Sequence, residues 1–249
     1  MSESHPPESS LSSSNLRARP AHIGFWRFST AEFLVALVLL FVATPFIENI
    51  PHGDRIEIAL MTLVLVFGVL AVGWSRRTLI WAAVLVVPAI TAKWTHHFFP
   101  EQDSLAVVFL IAGLVYLIFL VAQFLRFILR APRVNSEVMC AGISIYLLLG
   151  LVWTLNYLLV AALADPQHPA FAFNAGPASS RSMTDFNAYY FSFVTLTTVG
   201  FGDITPVSNA ARALAALEAM TGTLYVAVLI SRLVALYSSQ GARLREPEP

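Results

Sequence analysis

Charged residues are scarce in this chain of 249 residues, since only 12% are Asp, Glu, Lys or Arg while 57% are hydrophobic. Soluble domains carry about 25% charged and about 45–50% apolar residues. Half the usual charge, together with a mean hydropathy of +0.70, excludes a soluble globular protein and predicts an integral membrane protein. The net charge is zero, so the composition indicates no nucleic-acid partner.

Cysteine and catalytic signatures are also scarce. The single cysteine, Cys140, lies in an apolar run, which excludes an intrachain disulfide, a CxxC redox site and a thiolate metal cluster. The sequence contains no nucleotide-binding fingerprint and no GxSxG or HExxH motif. We therefore expect that the protein is not an enzyme, because no residues form a catalytic pattern.

Long hydrophobic segments account for most of the chain. A helix that spans a bilayer needs about 20 mostly apolar residues. Six segments predict an all-α membrane protein with six transmembrane helices: Glu32–Ile47, Ile58–Trp74, Leu79–Phe99, Leu105–Leu125, Val138–Ala164 and Ala210–Tyr237. The third contains Pro88, which kinks a helix, and Lys93 near its end. Membrane β-strands are excluded, because these runs are too long and do not alternate.

The two ends of the chain differ from the spans in composition. Residues 1–25 are rich in Ser, Pro and charge and are predicted to be a disordered cytoplasmic tail, and residues 241–249 are predicted to be a second, short one. With the N-terminus in the cytoplasm, eleven Lys and Arg residues lie inside and four outside. We therefore predict a multi-pass protein of the plasma (inner) membrane with both termini in the cytoplasm.

The four front spans, within residues 26–133, are predicted to form a transmembrane domain without gating charges. A voltage sensor needs several arginines at three-residue steps in its fourth span. The segment Leu105–Leu125 has no charged residue. Arg126 and Arg130 follow it at the inner end, where the preference for positive charge in the cytoplasm already explains them. The domain therefore matches a sensor only in its number of helices.

One connection, residues 165–209 between the fifth and sixth spans, is much longer than the others. Its first half is rich in Pro, Gly and Ser and is predicted to be an exposed loop. Its second half, FNAYYFSFVTLTTVGFGDITP, predicts a short helix capped by Asp185 and then a glycine-punctuated stretch. The helix is too short to cross a bilayer. We predict that it is re-entrant, since non-helical backbone at membrane depth occurs only where it lines a water-filled cavity.

The segment Thr197–Asp203, TTVGFGD, resembles the selectivity filter of potassium channels, whose signature is T-V-G-Y/F-G followed by an acidic residue. The resemblance covers residues 134–240. It implies a pore domain with a re-entrant pore helix and a selectivity filter between helices 5 and 6. It also implies a homotetramer in the lipid bilayer, because one chain supplies one quarter of a ring. The permeant K+ ions are then the only ligands, and no cofactor is expected.

The resemblance also implies which atoms bind K+. A dehydrated K+ ion needs oxygen atoms that replace its water shell. The implied ligands are the carbonyl oxygens of four consecutive residues, together with the hydroxyl of the first: Thr198, Val199, Gly200 and Phe201. Successive carbonyls face one axis only if the backbone alternates in handedness. Gly200 and Gly202 can adopt the positive φ that this requires without steric cost.

Three residues are expected to support the filter. The resemblance places Asp203 at the outer mouth, bonded to an aromatic residue of the pore helix. The family often has Trp there, and the matching residue, thirteen positions before the acid, is Tyr190. Glu218 lies within the sixth span, where an acidic residue indicates a function. We expect it to accept a hydrogen bond from Ser192 or Thr195, or to carry a proton as a pH-sensitive brace.

The sixth span also contains the expected gating elements. Gly222 lies nineteen residues after Asp203, where the resemblance places the hinge glycine of the inner helix. The alternative is close helix packing by Gly222 next to Ala219. Helical spacing predicts that three further residues line the cavity: Thr223, Val226 and Ile230.

The function predicted from the sequence is passive, potassium-selective transport through a tetrameric pore. A weakly selective cation channel is the alternative within the same class. A non-conducting membrane scaffold subunit is an alternative from another class. A channel-like potassium transporter is a third, although such proteins resemble four linked pore loops in one chain and this chain has one.

Overall fold

The computed structural model describes residues 30–47, 53–72, 76–98, 103–131, 135–165, 167–174 and 182–243. The tail predicted at residues 1–25 lies outside these ranges, and so do residues 244–249 of the tail predicted at 241–249, whereas residues 241–243 are helical. Within the described ranges the chain forms seven helices: α1 (Thr30–Ile47), α2 (Gly53–Val72), α3 (Arg76–Phe98), α4 (Asp103–Arg130), α5 (Ser136–Ala162), α6 (Asp185–Leu196) and α7 (Asn209–Arg243). Two short strands, β1 (Phe171–Phe173) and β2 (Ile204–Pro206), form one antiparallel pair.

Among the described residues, three helices are long and apolar enough to cross a membrane. Their spanning segments are Ala106–Arg130 in α4, Ser136–Ala162 in α5 and Asn209–Ala235 in α7. The apolar segments of the first three helices are shorter: Thr30–Phe46, Ile58–Ala71 and Arg77–Thr91. The predicted all-helical membrane fold is confirmed in outline, and the count of six spans stays a prediction.

Helices α1 to α5 share one hydrophobic core. Phe33 of α1 stacks on Phe124 of α4, with ring centroids 5.2 Å apart. A Cβ atom at Gly68 of α2 would lie 2.8 Å from the hydroxyl oxygen of Tyr116, so glycine allows the close approach of α2 to α4. That hydroxyl donates a hydrogen bond of 2.6 Å to the carbonyl of Leu65. The front helices therefore pack as one unit that extends onto α5.

The cap of helix α6 differs from the prediction. The side chain of Thr184 accepts a hydrogen bond of 3.2 Å from the backbone N–H of Asn187. Thr184 has extended backbone angles and is therefore the N-cap, while Asp185 is the first residue of the helix. The capping prediction for Asp185 is wrong by one position. Its carboxylate lies in the first turn, where it favours the helix through the helix dipole.

The sequence predicts that the first half of the long connection is an exposed loop. The structure shows that part of it is ordered as a strand. It contains β1, which pairs with β2 in the register Phe171↔Pro206 and Phe173↔Ile204. The side chain of Phe171 is only 4% exposed. Its ring meets the ring of Phe191 of α6 at 5.5 Å, with an interplanar angle of 71°. The prediction fails here because Phe171 of β1 is buried against Tyr157 of α5 and Phe191 of α6. Residue 166 and residues 175–181 of this connection lie outside the described part of the chain.

Candidate functional site

The backbone between α6 and β2 alternates in handedness. Positive φ angles occur at Thr198 (60°), Gly200 (59°) and Gly202 (80°), every second residue. The sequence predicts the two glycines but misses Thr198, the one non-glycine residue with positive φ among those described. Such a conformation costs of order 1–3 kcal/mol and occurs mostly at functional sites. Alternation of this kind turns successive carbonyls towards one side of the segment.

The start of this segment is anchored to the last turn of α6. The backbone N–H groups of Val199 and Gly200 both donate to the carbonyl of Val194, at 2.9 and 3.3 Å. The N–H group of Thr198 donates to the carbonyl of Thr195 at 2.9 Å. These N–H groups satisfy carbonyls that a helix end otherwise leaves without partners. The N–H and C=O groups of one peptide point in opposite directions, so the carbonyls of Thr197, Thr198 and Val199 face away from these partners in α6.

The outer end of the segment contacts α6 through an aromatic pair. The rings of Tyr190 and Phe201 stack at 6.4 Å, with an interplanar angle of 5°. Burial raises the pKa of Tyr190 above its ordinary value, and its interaction with the carboxylate of Asp203 acts in the same direction. The backbone N–H of Ile204 donates to Asp203 at 3.0 Å. The structure thus brings together Tyr190 and Asp203, the two residues that the sequence pairs.

Glu218 connects the three helices α5, α6 and α7. It is fully buried on α7, with 0% of its surface exposed. The hydroxyl of Tyr157, on α5, donates to its Oε2 atom. The hydroxyl oxygen of Ser192, on α6, lies 2.5 Å from Oε1 of Glu218 and 2.8 Å from the carbonyl oxygen of Gly150. Of the two partners predicted for Glu218, Ser192 is therefore the one in contact.

Two glycines set the close packing of α6. A Cβ atom at Gly150 of α5 would lie 1.9 Å from Cζ of Phe193. A Cβ atom at Gly222 of α7 would lie 2.2 Å from the carbonyl oxygen of Leu196. Close packing, the alternative to a hinge, is thus present at Gly222. The glycine packs against the C-terminal end of α6. The hinge role stays a prediction.

The residues predicted to line a cavity lie on a face of α7 that is open in the single chain. Val226 and Ile230 are 41% and 55% exposed, and Thr223 is exposed as well. The hydroxyl of Thr223 donates to the carbonyl of Ala219 at 3.0 Å, within α7. Only 11% of the most apolar part of α7 is buried. This helix therefore offers an apolar surface that the described part of the chain does not cover.

One residue of the site has no signal in the sequence. Asn174 follows β1 in the segment predicted to be a loop, and its side-chain amide donates to the carbonyl of Gly202 at 2.9 Å. Its backbone N–H donates to the carbonyl of Asp203 at 2.7 Å. No motif marks this asparagine, because its partners lie about thirty residues away and meet it only through the β1–β2 pairing.

Comparison with known proteins agrees with this geometry. The protein family described as "Ion channel" matches residues 138–239, which contain most of α5, all of α6, the alternating segment and most of α7. Residues 138–239 are thus similar to ion channels, and this similarity, together with the apolar helices, points to a membrane channel rather than to an enzyme.

A potassium channel is among the similar proteins. The chain is similar to the voltage-gated potassium channel Kch of Escherichia coli (strain K12), at 32% identity over 137 residues. These residues are 55% of this chain and 28% of that channel, so the match covers less than a third of the relative. No solved structure matches the chain significantly.

Proposed function

We propose that this chain is one subunit of a potassium-selective channel, which passes K+ passively across the plasma membrane. The observation that carries the proposal is the alternating backbone of Thr198–Gly202. Four carbonyls and one hydroxyl in this segment suit an ion that must exchange its water shell for protein oxygens. The similarity to a potassium channel supports the choice of ion.

The proposed assembly is a homotetramer in the bilayer. A single filter segment encloses nothing, and its carbonyls need partners at membrane depth. The side chains of Val199 and Phe201 are 55% and 69% exposed in the single chain, and α7 is largely uncovered. Four copies around one axis bury these apolar surfaces and close a ring of carbonyls. We infer six spans, with both termini in the cytoplasm.

The residues around the filter have distinct proposed roles. The C-terminal end of α6 directs its partial negative charge to the cavity beneath the filter and favours a cation there. Asp203 and Tyr190 hold the outer mouth, and Glu218 holds α6 against α5 and α7. Gly222 is the point where the inner helix bends or packs, and three residues line the cavity: Thr223, Val226 and Ile230.

Ion flux into liposomes tests the proposal. We expect K+ flux far above Na+ flux from the purified protein, and loss of flux in Gly202→Ala. A Cβ atom added at Gly202 would meet no other atom within 4 Å, so only the strain of a side chain at φ 80° acts there. Gly113→Ala on α4 is the matched control, because its nearest neighbour is a movable methyl group of Leu155.

The alternatives give different results in the same experiment. Equal K+ and Na+ flux overturns selectivity in favour of a weakly selective cation channel. A tetramer that passes neither ion overturns conduction in favour of a scaffold subunit. Thr198→Ala tests the innermost ion site, and we expect reduced discrimination against Na+ because one oxygen ligand is lost.

A further inference from the structure

Asn174 contacts the two residues that end the filter signature. One N–H of its side-chain amide donates to the carbonyl of Gly202 at 2.9 Å, and the amide also donates to the hydroxyl oxygen of Thr205 at 3.2 Å. Its backbone N–H donates to the carbonyl of Asp203 at 2.7 Å. An asparagine amide has two N–H donors, so both are used here. Two successive carbonyls at the outer end of the filter are therefore held by one residue.

The position of Asn174 is set by the pairing of β1 with β2. Phe173 is opposite Ile204 in this antiparallel register. Asn174 follows Phe173 and Asp203 precedes Ile204, so these two residues are also opposite each other. The register is fixed by burial, because Phe171 lies against the rings of Tyr157 and Phe191. A slip by one residue would expose this phenylalanine. The contact with the filter thus depends on a buried anchor and not on a free loop.

The carbonyls held by Asn174 differ from those proposed to bind K+. A glycine peptide turns easily, because no side chain restricts its φ and ψ angles. At Gly202 the positive φ and the amide of Asn174 together fix the direction of the carbonyl. The carbonyls of Gly202 and Asp203 are occupied by N–H donors, so the column of free carbonyls ends at Phe201.

We propose that Asn174 is a positioning residue that fixes the outer end of the ion-binding column. This inference rests on the proposed potassium-channel function and goes beyond it in naming a residue outside the filter and the pore helix. Without the amide, the Gly202 peptide turns more freely, and the filter leaves its conducting form more often. K+ bound in the filter opposes the loss of the conducting form, because the carbonyl oxygens that bind the ion must keep their positions.

The test is the decay of K+ current from reconstituted channels, measured at low and at high external K+. We expect Asn174→Ala and the isosteric Asn174→Asp to accelerate the decay by about fivefold or more at low K+, the factor that one lost hydrogen bond gives. High external K+ restores the decay rate towards that of the unaltered channel. A purely structural defect does not respond to the permeant ion in this way.

Asn187→Ala is the matched control. Asn187 lies in the first turn of α6, and its amide donates to the carbonyl of Ser182 at 2.6 Å. We expect its decay rate to equal that of the unaltered channel. If Asn187→Ala accelerates the decay as much as Asn174→Ala, the inference is overturned, because the effect is then not specific to the contact with Gly202.

The outcomes separate the inference from the proposed function. A potassium-selective channel whose decay is unchanged in both Asn174 variants overturns the inference and leaves the function standing. An unaltered protein without selective K+ flux overturns the function and the inference with it. Failure of both Asn174 variants to assemble also overturns the inference, since a residue that acts only on the outer end of the filter is not needed for assembly.

Discussion

The hydroxyl oxygen of Ser192 lies 2.5 Å from Oε1 of Glu218. The same oxygen lies 2.8 Å from the carbonyl oxygen of Gly150. A serine hydroxyl has one proton and donates to one of these oxygens. When Ser192 donates to Gly150, the bond to Glu218 requires a proton on the glutamic acid. The hydroxyl of Tyr157 donates to the other oxygen, so a neutral acid satisfies the whole network.

The first prediction is that Glu218→Gln retains tetramer stability and K+ flux. A glutamine amide donates to Ser192 and its carbonyl accepts from Tyr157, as the neutral acid does. Glu218→Leu leaves both hydroxyls without this partner and is expected to cost about 1–3 kcal/mol per unsatisfied group. Thermal dissociation of the tetramer in mild detergent measures the difference. A Gln variant as unstable as the Leu variant would show that the group is a carboxylate.

The second prediction concerns the contact of Gly222 with the end of α6. Gly222→Ala is expected to lower stability by about 1–3 kcal/mol, the usual cost of overpacking, because the added Cβ would lie 2.2 Å from the backbone carbonyl of Leu196. Gly142→Ala is the control. Its Cβ would lie 3.1 Å from a methyl carbon of Leu229, which can move. A Gly222→Ala channel with unchanged stability and altered open probability would favour the hinge over packing.

The long helices and the alternating backbone were predictable from the sequence because their signals are local. Hydrophobic runs predict both ends of α5 to within two residues and the start of α7 to within one, although α7 ends six residues later than predicted, and Gly200 and Gly202 mark the alternating backbone. An acid in an apolar helical segment is unusual enough to single out Glu218. In each case the relevant pattern lies within one element.

Some contacts between distant segments carry no signal in the sequence. The bond of Tyr157 to Glu218 depends on how α5 and α7 pack, and the two residues are 61 positions apart. Asn174 is 28 positions from Gly202, in a segment whose composition indicates a loop. The positive φ of Thr198 follows from its place between α6 and the first filter glycine, since threonine itself disfavours that conformation.

The third prediction concerns the interaction between the hydroxyl of Tyr190 and the carboxylate of Asp203. Tyr190→Phe keeps the ring that stacks on Phe201 but removes the hydroxyl, so we expect faster decay of K+ current at low external K+. Tyr190→Trp restores an N–H donor and is expected to restore slower decay. Equal decay in the Phe variant and the unaltered channel would contradict a supporting role for this interaction.

The same tyrosine predicts an alkaline limit for the outer mouth. Burial and Asp203 raise the pKa of Tyr190 above its ordinary value of about 10. A raised pKa in the folded state means that the stabilisation is fully present below the ordinary pKa and is lost as the pH rises through the raised value. Tetramer stability measured against pH should show this loss. The Tyr190→Phe variant should lose less stability over the same pH range, because only the other tyrosines then titrate, and an identical profile in both proteins would contradict the assignment.

The fourth prediction links the front helices to the pore helix. The ring of Phe41 on α1 meets the rings of Tyr189 and Phe193 on α6, at 4.9 and 4.6 Å, both edge to face. Such aromatic pairs contribute about 0.5–1.5 kcal/mol each beyond their buried area. Phe41→Ala is therefore expected to lower tetramer stability and K+ flux. Phe46→Ala, on the same helix but 69% exposed, should change neither, and equal behaviour of the two variants would argue against this coupling.

The last prediction is that voltage changes conduction only slightly. Steep gating requires about 3–4 charges per subunit that move through the membrane field, at about 2.3 kcal/mol per charge per 100 mV. The segment Leu105–Leu125 of α4 has no charged residue, and Arg126 and Arg130 are exposed at the C-terminal end of the helix. Moving them far across the field would draw them through an apolar span.

We expect a shallow conductance–voltage relation in planar bilayers, with no more than about one effective charge per subunit. The double variant Arg126→Gln/Arg130→Gln should disturb expression or orientation before it alters voltage dependence. A steep sigmoidal curve that flattens in this variant would contradict the prediction, because it would assign the gating charge to these two arginines.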